Sequence, residues 1–178
     1  MKNISFLLLA TLLFLSACHK DDNPIAPIDQ LPPATQTGAG TFGCLVNGEP
    51  FIDNSGTFNC FYQLVNGGYY FGIEGTDENF ELIDIGLFTN DKSLEQGQTY
   101  MLYDNSPGNV FGSGYLLIAN SSGEGITTNE NQNGQLKITK FDFVSHTVSG
   151  IFSFDLLNPI NGEIIEIREG RFDSHFTQ

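Results

Sequence analysis

The sequence predicts an all-β fold, an antiparallel sandwich or barrel of roughly 8–10 strands that follows a signal peptide and a disordered leash. Three observations carry this expectation. From Thr41 onward, apolar and polar residues alternate with period 2 in run after run. Clusters of Gly, Asn, Asp and Pro punctuate those runs. No stretch repeats apolar residues at the spacing of a helix face. One buried and one wet face per strand is the signature of antiparallel pairing. The 16 Phe and six Tyr supply the bulk of a closed core.

Residues 1–17 read as a lipoprotein signal peptide. Lys2 precedes an apolar run from Phe6 to Leu15. That run is shorter than the roughly 20 residues needed to cross a hydrocarbon core. It fits the apolar region of a secretory signal, with small residues Ser16 and Ala17 before the cleavage point. Leu15-Ser16-Ala17-Cys18 resembles the bacterial lipobox, in which the cysteine becomes the lipidated first residue of the mature chain. Several acyl chains on one residue anchor stably where one binds only marginally. Cys18 is therefore the expected lipid attachment site, and the membrane the expected partner through that anchor.

Residues 18–40, "CHKDDNPIAPIDQLPPATQTGAG", lack either period and are rich in Pro and small polar residues. They are expected to form a flexible linker, with a single all-β domain over 41–178. Within that domain, "TFGCLVNGEPF" predicts a strand over 41–46, a turn at Asn47-Gly48 and a return strand. "TFNCFYQLVNGGYYFGIEG" predicts two strands around Asn66-Gly67. "FELIDIGLF", "TYMLY" and "GYLLIA" follow, then a polar stretch from Asn120 to Gln135. "LKITKFDF", "HTVSGIFSFDLLN" and "EIIEIREGRFDSHF" complete the series. The alternation places Phe42, Cys44 and Val46 inward. It does the same for Phe58, Cys60, Tyr62 and Leu64, for Tyr69, Phe71 and Ile73, for Ile83, Ile85 and Leu87, and for Val148, Gly150, Phe152, Phe154 and Leu156.

Charge narrows the partners. Loss of the signal peptide removes Lys2 and leaves six basic residues against 21 acidic ones, a net charge of −15. Such a domain repels nucleic-acid phosphates, so no nucleic-acid partner is expected. With Cys18 acylated, Cys44 and Cys60 remain. They form either a disulfide across a loop of about 16 residues, stabilising by roughly 3 kcal/mol, or two buried free thiols.

Catalytic patterns are sparse. His19, His146 and His175 have no zinc-like spacing, and no metal or cofactor is expected. Asn129 to Gly134 imitates a calcium loop, but its first position is Asn and its twelfth is Lys140, where a bidentate Glu is required. Gly112-Ser113-Gly114 is no nucleophile elbow. Carboxylates recur at Asp77, Glu78, Asp84, Asp142, Asp155, Glu163, Glu166, Glu169 and Asp173. A glycosidase needs two of them across a cleft, and an acidic chain holds many such pairs by chance. Tyr70 and Phe61 fall on the outer faces, where sugars could stack, but Trp is absent.

"LSAC", "LPPATQTGAGTFGCLVNGEPF" and "VSGIFSFDLLNPINGEIIEIREGRFD" resemble an uncharacterised lipoprotein family of Bacteroidota, a domain of unknown function. The resemblance implies an envelope lipoprotein with a β-rich domain and supplies no catalytic residues. Lys20, Asp21 and Asp22, directly after His19, resemble the export signal of surface lipoproteins in that phylum. The expected location is the outer membrane, on the cell surface, with a periplasm-facing orientation as the alternative. The expected role is a non-enzymatic binding or interaction module whose partner is a protein, a glycan or a small ligand. A carboxylate-dependent envelope hydrolase and a structural accessory lipoprotein are the alternatives.

Overall fold

The computed structural model describes residues 24–119 and 122–178. The expected signal peptide, Cys18, His19, Lys20, Asp21 and Asp22 lie outside the described residues. The fold class is as the alternation predicts: nearly all β, in one antiparallel-dominated sheet that curls into a half-barrel.

Eleven strands form the sheet. They are β1 (Thr41–Val46), β2 (Glu49–Ile52), β3 (Asn59–Val65), β4 (Gly68–Thr76), β5 (Leu82–Asn90), β6 (Thr99–Leu102), β7 (Asn109–Ala119), β8 (Ser122–Thr127), β9 (Gly134–Asp142), β10 (Thr147–Leu157) and β11 (Ile164–His175). Their order is β2-β1-β11-β10-β9-β6-β7-β5-β4-β3, with β8 paired to β7. Both Asn-Gly signals make tight turns. Asn47 and Gly48 have φ of 50° and 86°, and Asn66 and Gly67 have 53° and 90°. Two positive φ values are the requirement of a type I′ hairpin.

The curl brings the sheet's two ends together. Beyond β11, the Thr177 N–H donates to the Cys60 carbonyl at 3.0 Å, and the Tyr62 N–H donates to the Thr177 carbonyl at 2.8 Å. The Phe42 ring of β1 lies over Gly75 of β4, so close that a Cβ there would sit 2.4 Å from it. Phe42, Phe51, Phe71, Phe154 and Phe172 are among the largest fully buried side chains. The Phe172 ring leaves no space for a Cβ at Gly150. The interior is filled by these rings.

Several expectations are corrected. The polar stretch after residue 119 contributes a strand, β8, because β7 offers it an edge. β7 itself starts at Asn109, five residues ahead of the strand expected from "GYLLIA". Ile83 is displaced by a register shift in the β5–β7 ladder, and Leu82 is buried in its place. Leu64 and Tyr69 are exposed, because their hairpin projects past the core.

The linker is corrected in its described part. Residues 24–40 are laid across the outer face of the sheet as a strap. Pro27–Gln30 form one 3₁₀ turn, and Leu31 is buried. Pro32 packs on Gly43 of β1. The reason is Asp173, fully buried beneath the strap. Its carboxylate accepts hydrogen bonds from Thr35 Oγ1 at 2.6 Å, Thr37 N and Gly38 N at 2.8 Å, Ala39 N at 3.2 Å and Ser149 Oγ at 2.7 Å. A buried carboxylate without such donors would be prohibitively costly. Gly38 holds φ at 77° with its Cα against the His175 ring, which no side chain would permit.

The cysteines are also settled. Cys44 and Cys60 are free and buried. Cys44 faces Phe51 in the β1–β2 ladder, and Cys60 faces Ile73 in the β3–β4 ladder. Their strands are not ladder neighbours, so they pack as small hydrophobes, not as a bridge.

Candidate functional site

The site is built from an irregularity in β11. Ile165, Ile167 and Phe172 all face the core. Regular alternation cannot bring both 167 and 172 inside. The parity changes within Arg168-Glu169-Gly170. There the β1–β11 ladder shifts register between Gly43 and Leu45, and the β10–β11 ladder shifts between Phe152 and Phe154. This is a β-bulge, with Glu169 in the left-handed region at φ 53°. Gly170 follows because a Cβ there would lie 2.3 Å from the Phe152 ring. The consequence is chemical. Arg168 and Arg171, three residues apart, both lie on the outer face.

The ladders then align a row across three strands. Lys137 of β9 pairs with Ile151 of β10, and Ile151 pairs with Arg171 of β11. Two strand spacings put the Lys137 and Arg171 backbones about 10 Å apart. Between them Ile151 is exposed. A depression of about 500 Å³ opens over this row, bounded by Gln135 and Ser153 on one side and by Ala34 of the strap on another. It holds three of the five Lys and Arg among the described residues.

The three cations are not equivalent. Arg168 is committed: its guanidinium donates to the carbonyls of Phe154 and Ile167 at 3.0 and 2.9 Å and pairs with Asp155 at 2.6 Å and Glu166 at 3.3 Å. Arg171 donates through Nε to the Glu169 carbonyl and reaches the Glu169 carboxylate only at 3.8 Å. Lys137 makes no ion pair among the described residues. Lys137 is thus exposed and unpaired among the described residues, and Arg171, its side chain 17% exposed, stands on the other side of the apolar floor.

A second depression, about 420 Å³, lies at one end of the half-barrel among Asn47, Glu49, Asn79, Glu81, Asn158 and Glu163. Its polar groups hold loops: Asn47 Oδ1 accepts the Glu166 N–H at 2.8 Å, and Asn158 Oδ1 accepts the Ile160 N–H at 2.9 Å.

The carboxylates noted in the sequence are mostly structural. Burial works to raise the Asp173 carboxyl, but its donors, Thr35 first, outweigh it and hold the group well below the carboxylate range. Asp77 is buried and bonded to Asn54 and Asn79 at 2.8 and 2.7 Å. Asp142 accepts the Val144 N–H and a bond from Lys140, and is held at about 2. Two outer-face carboxylates, Glu74 and Asp84, stand side by side. Burial, and then the neighbouring Asp84, raise Glu74, while Asp84 accepts the Thr76 hydroxyl at 2.6 Å. Both stand on the convex outer face, in neither depression.

Among the described residues no cluster of three or more His, Cys, Asp or Glu could hold a metal. His146 and His175 sit near one another but serve packing and turn bonding. Asn129 Oδ1 accepts the Asn131 and Gln132 N–H groups, which uses the oxygen a calcium ion would need. Tyr70 and Phe61 are half-buried, with the Phe61 ring against Gly72, and offer no flat platform. The groove residues Lys137, Arg168 and Arg171 were not legible as a site from composition. The signal was "REGR": an isolated Gly within a strand pattern marks a bulge.

No family model, curated protein or solved structure matches the chain.

Proposed function

We propose that this protein is a lipid-anchored outer-membrane lipoprotein, displayed on the cell surface, whose groove across β9, β10 and β11 binds an acidic glycan without turning it over. The observation that carries the reading is the row in which exposed Ile151 lies between Lys137 of β9 and Arg171 of β11, the bulge turning Arg171 to the same outer face. Anchoring at Cys18 and export through Lys20, Asp21 and Asp22 rest on the sequence of the N-terminus.

The geometry favours a glycan over a peptide. The groove lies on the face of the sheet, where the backbone groups of β9, β10 and β11 are already paired. Strand addition needs a free edge. What the groove offers is side chains: hydroxyl and amide groups at Ser153 and Gln135, a hydrocarbon surface at Ile151, and two positive charges. Two cations on one face suit an acidic sugar chain.

The net charge of −15 does not defeat this. At 0.1 M salt the Debye length is about 10 Å, so a ligand in the groove feels the local cations more than the distant carboxylates. Calorimetric titration with a uronic-acid oligosaccharide and a neutral oligosaccharide of equal length tests the reading. Binding of the acidic ligand alone is expected. Equal binding of both, or of neither, contradicts it. Replacing Cys18 with Ala should release the protein from the membrane fraction, and unchanged fractionation would overturn the anchor.

The hydrolase alternative has the Glu74–Asp84 pair in its favour. Cleavage of a glycoside that is lost in Glu74→Gln would establish it.

A further inference from the structure

The inner face of the sheet does not stop where the core stops. At the end opposite the second depression, two hairpins project beyond it. One is the β3–β4 hairpin, turning at Asn66-Gly67. The other joins β9 to β10 through residues 143–146. Leu64 continues the inward-facing series of Cys60 and Tyr62, yet is 60% exposed. Val65 beside it is 46% exposed, and Tyr69, its hairpin neighbour, 39%. On the other tip Phe143 is 50% and Val144 93% exposed.

These residues form one surface. Tyr62 stacks on Tyr69 at 5.2 Å and meets Phe141 and Phe143 edge-on at 4.9 and 5.8 Å. Phe176 packs beneath Phe141 and Phe143. The aromatic ring set joins the two hairpins into one apolar lip at that end of the half-barrel.

We infer that this lip rests in the headgroup region of the membrane that carries the lipid anchor. The setting rests on the anchoring reading; the lip itself does not. Three observations select lipid over a second copy or a shaped protein partner. The lip is convex, made of hairpin tips, and neither depression lies on it. Aliphatic tips backed by tyrosines are the composition of a surface that enters the interface, where amphipathic rings are favoured. Its nearest charged groups carry little net charge: Lys140 pairs with Asp142 at 3.2 Å, Lys92 stands beside Asp91 in the sequence, and Glu95 lies near Tyr62. The ordered strap adds a constraint. Only six residues, 18–23, separate the anchor from the described chain, and six residues span at most about 20 Å. The domain is therefore held beside the bilayer, where a weakly binding surface has a high local lipid concentration.

The test uses the chain from His19 to Gln178, which carries no lipid, in flotation with vesicles of phosphatidylethanolamine and phosphatidylcholine. The wild type should float with the vesicles. Leu64→Asp/Val144→Asp should reduce the floated fraction at least tenfold while the thermal midpoint is unchanged. Val144→Ser, at the most exposed position, gives a milder variant that keeps the fold and should weaken flotation severalfold. A wild type that stays with the aqueous fraction overturns the inference, as does a variant that floats equally well. Lipid-free dimerisation that Leu64→Asp/Val144→Asp abolishes, with no flotation of the wild type, would assign the lip to a second copy instead. Incorporation of labelled palmitate at Cys18, measured in cells, reports the anchor separately.

Discussion

Asp173 shows how much one residue organises. Its charge is buried, and six groups donating from the strap and β10 keep it there. Asp173→Asn removes the charge and mismatches those donors, with an expected loss of about 3–5 kcal/mol in denaturant unfolding. The pH dependence has a definite sign. The folded carboxyl is depressed below its unfolded value of about 3.9, so its contribution is complete above that value and is lost as pH falls toward the folded one. Acid unfolding below about pH 4 should be steeper in the wild type than in Asp173→Asn. The cysteines make a second prediction. Burial pushes the Cys60 thiol up to about 12 and the Cys44 thiol higher, so neither presents a thiolate at neutral pH. Maleimide should label neither in the native state and both after unfolding, and reductant should leave the melting temperature unchanged. Native labelling at either would show the core to be open.

At the scale of elements, the bulge in β11 and the strap decide the surface. Glu169 holds a left-handed conformation that costs a non-glycine residue roughly 1 kcal/mol. Glu169→Gly should therefore stabilise the domain by about that amount, and should tighten anion binding by removing the carboxylate that Arg171 reaches at 3.8 Å. Equal stability of wild type and variant would mean that the bulge relaxes in solution. Much of this level was legible in the sequence. Period 2 gave the strands, and the two Asn-Gly turns gave their hairpins, because both signals are local. The strap was not legible. "LPPATQTGAG" has linker composition, and its order comes from Asp173, more than 130 residues away. The shift in β11 was half legible: Gly170 marks a bulge, but only the neighbouring ladders show that it turns Arg168 and Arg171 to one face.

For the whole molecule, charge and shape act together. The formal net charge of −14 repels an acidic ligand at long range, while on the proposed reading Lys137 and Arg171 attract it at contact. The Debye length is about 30 Å at 0.01 M salt and 3 Å at 1 M, so the two effects separate with ionic strength. Affinity for an oligouronate should pass through a maximum near physiological salt. A monotonic fall from the lowest salt would mean that the net charge plays no part. The core is packed with aromatic rings and the groove lies on the outer face, so on the proposed reading recognition lies outside the half-barrel, with the aromatic lip at one end and the Asn-rich depression at the other. The central claim, that recognition occurs across β9, β10 and β11, is tested most directly by an ¹⁵N NMR titration of the lipid-free domain with a uronic-acid oligosaccharide. The account predicts shifts concentrated at Lys137, Ile151, Ser153 and Arg171, abolished by Lys137→Glu. Shifts centred on Asn47, Asn79 and Asn158, or none at saturating ligand, would contradict it.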